Sequence, residues 1–171
     1  LAGVLLLASL IFVITAILRT PENKVGGEEA PVAAVVLIDT APRMQYRHHN
    51  QTRIEKAQEI ATWLLTQLPD QSDVAIADSN LGASVFAVDR GAASKALNSL
   101  AADAASRALA DVLSQALDLL AQSEQQRREL YIFTDLAQLA WPEELAAMVS
   151  TRREDVENLA VYIIDVGVEA P

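Results

Sequence analysis

The chain has 171 residues, with 13 lysines and arginines against 23 aspartates and glutamates and a formal charge of −10. That acidity, with aromatic residues at only 5%, argues against a nucleic-acid surface and against docking on anionic lipid, both of which favour basic patches. Cysteine is absent, which excludes a disulfide framework, a thiolate metal site and a cysteine nucleophile.

Leu1 to Leu18 contains no charge, and Ser9 and Thr15 are its only hydroxyl-bearing residues. As a helix this run spans roughly 27 Å, close to the hydrocarbon thickness of a bilayer. A signal peptide would show a basic start and a small-residue cleavage site, and the run has neither. The expectation is a transmembrane helix over 1–19, stopped at Arg19, with Thr20-Pro21 opening a polar linker over 20–31. The chain opens on Leu1 rather than methionine, so it is expected to be a piece of a longer protein. About 150 further residues suffice for one domain with a real core, placed at 32–171.

Ala33 to Ile38 is a continuous apolar run of strand length, the pattern of a strand covered on both faces. Residues 41–51 are polar and read as irregular. Thr52 and Glu55 have the spacing of a helix capping box. Ile54, Ala57, Ala61, Leu64, Leu65 and Leu68 follow at helical spacing, with Trp63 beside them read as packing, and Pro69-Asp70 ends the segment. Asp73 to Asp78 reads as a strand, Ser79 to Gly82 as a turn, and Ala83 to Val88 as an antiparallel partner strand. A short helix is expected over 91–100 and a stronger one over 106–123, with Leu109, Val112, Leu113, Ala116, Leu117 and Leu120 on one face. A strand over 130–134, a helix over 142–151 with Pro142 in its first turn, and a strand over 159–166 complete the pattern. The order β-α-β-β-α-α-β-α-β with apolar strands implies an α/β fold, a three-layer doubly wound and mostly parallel sheet.

Two of these strands deliver an aspartate at their carboxyl ends, Asp39 after Val35-Val-Leu-Ile38 and Asp135 after Ile132-Phe-Thr134. Ligands gather in the crevice at that edge of an open parallel sheet. Together with Met44, the early hairpin and the helix after Ser106, these residues make the stretch from Pro31 to Val168 resemble the von Willebrand factor type A domain. A membrane helix leading straight into such a domain is similar to the bacterial aerotolerance-type (Bat-type) membrane proteins. The resemblance implies an A domain outside the cytoplasm, anchored in the inner membrane, and a final portion of the family's fold beyond the end of this chain.

In that family the first strand ends in Asp-x-Ser-x-Ser, which with a later Thr and Asp binds Mg²⁺ or Mn²⁺ while the partner supplies a carboxylate. Hard divalent ions want oxygen ligands in near-octahedral array. Here Asp39 matches the first aspartate and Asp135 the last, the Thr position falls near Ser106 or Arg107, and the two serines are replaced by Ala41 and Arg43. Neither replacement offers an oxygen. The metal set would thus be Asp39, Ser106 and Asp135, a degenerate site. Arg43 stays protonated and binds carboxylates bidentately, so it would stand in for the metal's charge.

The remaining signals weigh against chemistry. Asp39 as the nucleophile of a membrane-anchored, phosphatase-like hydrolase would call for a second aspartate at position 41, which is alanine. Both aspartates could equally serve only as turn caps. His48-His49 lacks the i, i+4 geometry of a helical zinc pair and reads as a solvated loop, or as part of a recognition surface beside Asp39. Trp141, which follows the Asp135 loop, caps a hydrophobic pocket or sits on a partner-facing rim. The mixed-charge stretches 124–129 and 152–155 read as solvated faces. No phosphate-cradling glycine loop or serine nucleophile elbow is present in the sequence. The reading is therefore a non-catalytic, membrane-anchored module that binds a protein partner through Asp39, Arg43, His48, His49, Arg107, Asp135 and Trp141. The alternatives are a working Mg²⁺- or Mn²⁺-dependent adhesion site and the Asp39 hydrolase.

Overall fold

A computed structural model describes residues 30–80, 85–104, 107–138 and 141–167. The expected membrane helix, most of the linker and Ser106 lie outside the described residues. Among those described, no helix is long and apolar enough to cross a membrane.

The central strand β1 (Val32–Ile38) is buried along its whole length, which accounts for its unbroken apolar sequence. It pairs in parallel with β4 (Asp73–Asp78) on one side and with β5 (Arg127–Thr134) on the other. The last strand, β6 (Leu159–Asp165), pairs in parallel with β5, giving the order β4-β1-β5-β6. Strand alternation divides β1 between two cores. Ala33, Val35 and Leu37 face the apolar sides of α3 (Leu109–Ala121) and α4 (Glu143–Asp155). Val32, Ala34, Val36 and Ile38 face α1 (Arg53–Gln67) and α2 (Arg90–Asn98). The result is an α/β fold, a four-stranded parallel sheet flanked by helices.

The capping box of α1 forms as read: Thr52 Oγ1 accepts from the Glu55 amide, and Glu55 Oε2 accepts from the Thr52 amide at 2.6 Å. Trp63, however, is 54% exposed. It lies two residues from both buried Ala61 and buried Leu65, which at 100° per residue puts it on the opposite side of the helix. The 41–51 stretch is also more ordered than its polarity suggests. Pro42–Gln45 forms a 3-10 turn anchored by buried Met44. A tight hairpin follows, with β2 (Arg47–His48) antiparallel to β3 (Gln51–Thr52). Its two-residue loop, His49-Asn50, has φ of 46° and 65°, the positive values that match a two-residue hairpin to strand twist.

Strand β5 begins three residues earlier than its apolar run, because Arg127 to Glu129 pair with Val32 to Ala34 of β1. Glu129, read as solvated, is buried there, accepting from Arg127 at 3.0 Å and from the Tyr131 hydroxyl at 2.6 Å. Of the expected 83–88 strand, the described residues form a single antiparallel bridge, Phe86 to Ala75. Pro142 is the N-cap of α4 rather than its first helical residue.

Candidate functional site

After β4 the chain crosses over β1 to build β5 and β6 on the other side. The strand order therefore reverses between β1 and β5, and a crevice opens at their carboxyl ends. Asp39 and Asp135 are the first residues past those two ends. The Asp39 amide still donates to the Phe133 carbonyl at 3.0 Å, and Val166 N donates to Thr134 O at 3.0 Å, so sheet-type bonding persists into the site.

Each aspartate first folds its own turn. Asp39 Oδ1 accepts from the Ala41 amide at 3.0 Å, and Asp135 Oδ1 accepts from the Ala137 amide at 3.3 Å. Within the second of these turns, Leu136 adopts a left-handed conformation with φ of 49° while remaining 40% exposed. The side chains of Asp39 and Asp135 are 2% and 1% exposed, and carboxylates so deeply buried require charged partners.

Two arginines meet that requirement. The 3-10 turn after Asp39 brings Arg43 back over the crevice, where Nη2 donates to Asp39 Oδ2 and Nε donates to Asp135 Oδ1 at 2.9 Å. Arg53, in the first turn of α1, donates through Nη1 to Asp135 Oδ2 at 2.6 Å and to the Arg43 carbonyl at 3.3 Å. The Arg53 guanidinium also lies 4.8 Å from the centroid of the Tyr46 ring, within range of a cation–π contact. Thr134 Oγ1 donates to Asp39 Oδ2 at 3.2 Å. All four carboxylate oxygens thus accept from backbone, hydroxyl or guanidinium, and two positive charges balance two negative ones.

Such a donor set does not fit Mg²⁺ or Mn²⁺. Ala41 and Arg43 provide no oxygen, and the carboxylate oxygens that would face a cation face guanidinium groups instead. Among the described residues, no cluster of three or more His, Asp or Glu side chains is placed to hold a metal.

The structure gathers the expected residues only in part. Asp39, Arg43 and Asp135 meet in one network. Arg107 reaches the neighbouring rim through its backbone, its amide donating to the Ser79 carbonyl. Ser79 in turn holds the residue after Asp39, with Oγ 3.0 Å from the Thr40 amide and 2.6 Å from the Thr40 hydroxyl. His48 and His49 stand at the hairpin, their rings 3.9 Å apart edge to face. Trp141 is half-buried against the α3/α4 core, a packing position.

Arg53 is the site residue that the sequence reading missed. A signal existed: a cation in the first turn opposes the helix macrodipole, which favours carboxylates there, so its placement asks for a compensating anion. Asp135, 82 positions away, supplies it.

Fold and site define an α/β protein whose parallel sheet carries a charge-balanced aspartate–arginine network at its switch point. No protein-family model matches the chain, and the curated proteins hold no match to it.

Proposed function

We propose that the chain is a von Willebrand factor type A-like, non-catalytic interaction module with a degenerate adhesion site, in which an arginine occupies the place of the divalent ion. The observation that carries this reading is the Arg43 guanidinium, bound at once to Asp39 and, 92 positions away, to Asp135. Those are the two positions at which the resemblance puts metal-binding carboxylates. A charge already neutralised in this way leaves no electrostatic call for a cation. It also disfavours Asp39 as a nucleophile, because a buried carboxylate held by arginine, threonine and a backbone amide is a poor attacking group.

In this reading residues 1–19 anchor the module in a bacterial inner membrane, the domain faces away from the cytoplasm as in the Bat-type proteins, and the loops around the crevice hold a protein partner. Thermal unfolding of the full chain in detergent, first in EDTA and then in millimolar Mg²⁺ or Mn²⁺, tests it. An ion at a hundred times its dissociation constant would add about 2.7 kcal/mol, a shift of several degrees. The expected shift is zero. A clear shift that disappears in Asp39→Ala would instead establish a working metal-dependent adhesion site.

A further inference from the structure

Strand β6 lies at the edge of the sheet, and among the described residues no strand pairs with its outer side. The opposite edge is partly covered, because Phe86 bridges to Ala75 of β4. Exposed edges in natural sheets carry devices against further pairing, such as lysine, proline, a bulge or short length. β6 has neither lysine nor proline, and it runs for seven residues in unbroken register with β5. It also leaves an apolar side chain, Ile163, 44% exposed.

The hydrogen-bonding groups of that edge can be assigned. Val166 N donates to the Thr134 carbonyl, and the Asn158 carbonyl accepts from Arg128 N. Alternation along the strand then turns the amide and carbonyl of Ala160, Tyr162 and Ile164 toward β5, and those of Leu159, Val161, Ile163 and Asp165 outward. On the outer side, Tyr162 is therefore a non-hydrogen-bonded position.

We propose that β6 pairs antiparallel with β6 of a second copy of this chain, about a two-fold axis at Tyr162. Facing residues come closest at non-hydrogen-bonded positions, about 4.5 Å between Cα atoms, so the axis brings the two Tyr162 rings together. Tyr162 already stacks on Tyr131 at 4.9 Å with 13° between the planes, the spacing of adjacent strands. The partner's rings continue that stack. In this register Val161 meets the partner's Ile163 and Ala160 meets the partner's Ile164, so apolar faces apolar on both sides of the sheet. Asp165, the only charged residue of β6, falls against the partner's Leu159 and not against another acid. That matters in a chain of formal charge −10, since like charges directly opposite destabilise a strand pair. The two aspartate–arginine crevices lie at opposite ends of the joined sheet, and both stay open.

The absence of cysteine makes the test direct. Full chain in nonionic detergent, carrying the single cysteine of Tyr162→Cys, is oxidised mildly and run on a non-reducing gel. A residue on the two-fold axis faces its own copy within reach of a disulfide, so most of the chain should become covalent dimer. Lys95→Cys, at an exposed position of α2, should stay monomeric. Adding Ile163→Lys to Tyr162→Cys places a lysine on the edge and should cut the dimer by about fivefold or more, with an unchanged unfolding midpoint. Sedimentation equilibrium without any cysteine should find two chains per particle for the parent and one for Ile163→Lys. Equal cross-linking of Tyr162→Cys and Lys95→Cys, a parent with one chain per particle, or a dimer untouched by Ile163→Lys would each overturn the pairing. None of these results bears on the metal-free site.

Discussion

Arg43 and Arg53 divide one carboxylate between them: Nε of Arg43 takes Oδ1 of Asp135 at 2.9 Å, and Nη1 of Arg53 takes Oδ2 at 2.6 Å. The two arginines come from different elements, the 3-10 turn and the first turn of α1, and the shared aspartate ties both to the end of β5. Arg43 is the more consequential of the two, because it alone also holds Asp39.

Arg43→Ala therefore leaves two buried carboxylates short of a donor. Breaking a buried pair costs about 3–5 kcal/mol, and Arg43 is partly exposed, so a loss of about 2–3 kcal/mol is expected. Urea denaturation measures it, and a loss below about 0.5 kcal/mol would show that the network contributes little.

Joint replacement Ala41→Ser with Arg43→Ser rebuilds the Asp-x-Ser-x-Ser pattern. It removes one guanidinium and adds two hydroxyl ligands. The double variant should gain a Mg²⁺- or Mn²⁺-dependent rise of several degrees in its unfolding midpoint, at metal concentrations where the parent shows none. An unresponsive double variant would mean that Arg53 alone suffices to exclude the ion.

Arg53→Lys should not rescue Arg53→Ala fully. A lysine keeps the charge but cannot reach Asp135 and the Arg43 carbonyl with one planar group or stack on Tyr46 in the same way. Both variants should be less stable than the parent, Arg53→Ala by about 1.5–3 kcal/mol. Equal stability of Arg53→Lys and the parent would reduce the role of Arg53 to its charge.

Much of this architecture was legible in the residues themselves. The unbroken apolar run of β1 announced burial on both faces, and Thr52 with Glu55 announced the start of α1. Asp39 and Asp135 could be placed at one sheet edge because strand ends in parallel sheets share that edge. Polarity misled where tertiary pairing decided the outcome. Arg127 to Glu129 joined a strand because β1 offered backbone partners, and His49-Asn50 formed a tight turn without the glycine that usually marks one. The cation in the first turn of α1 was a local signal for Arg53, but its partner Asp135 lies 82 positions away, where no local pattern could name it.

Tyr131 and Tyr162 stack with ring centroids 4.9 Å apart, close to buried Glu129. Burial first, and then the Glu129 carboxylate, hold the Tyr131 phenol well above the ordinary tyrosine value of 10 and raise that of Tyr162 as well. The folded state then keeps phenolic protons that the unfolded chain gives up, so the contribution of the pair to stability should be constant below about pH 10 and fall above it. Denaturation between pH 8 and 11 should show that decline, and Tyr131→Phe should make it shallower. An identical slope in the variant would assign the alkaline loss to other groups.

Leu136 carries a conformation that costs a non-glycine residue about 1–2 kcal/mol. Leu136→Gly should remove that strain, less about 0.5–1 kcal/mol for added chain entropy, leaving stability equal or slightly raised. A loss of more than 1 kcal/mol on denaturation would show instead that the half-exposed leucine packs productively.

The bonds from Arg43 and Arg53 to Asp135 close loops of 92 and 82 residues. During synthesis both arginines emerge long before their acceptor exists, so the site can assemble only after β5 has reached β1. Contacts so distant in sequence form late in folding. Their loss should accelerate unfolding far more than it slows refolding. The cluster would then act as a latch on the finished domain, with its main effect on how long the native state persists.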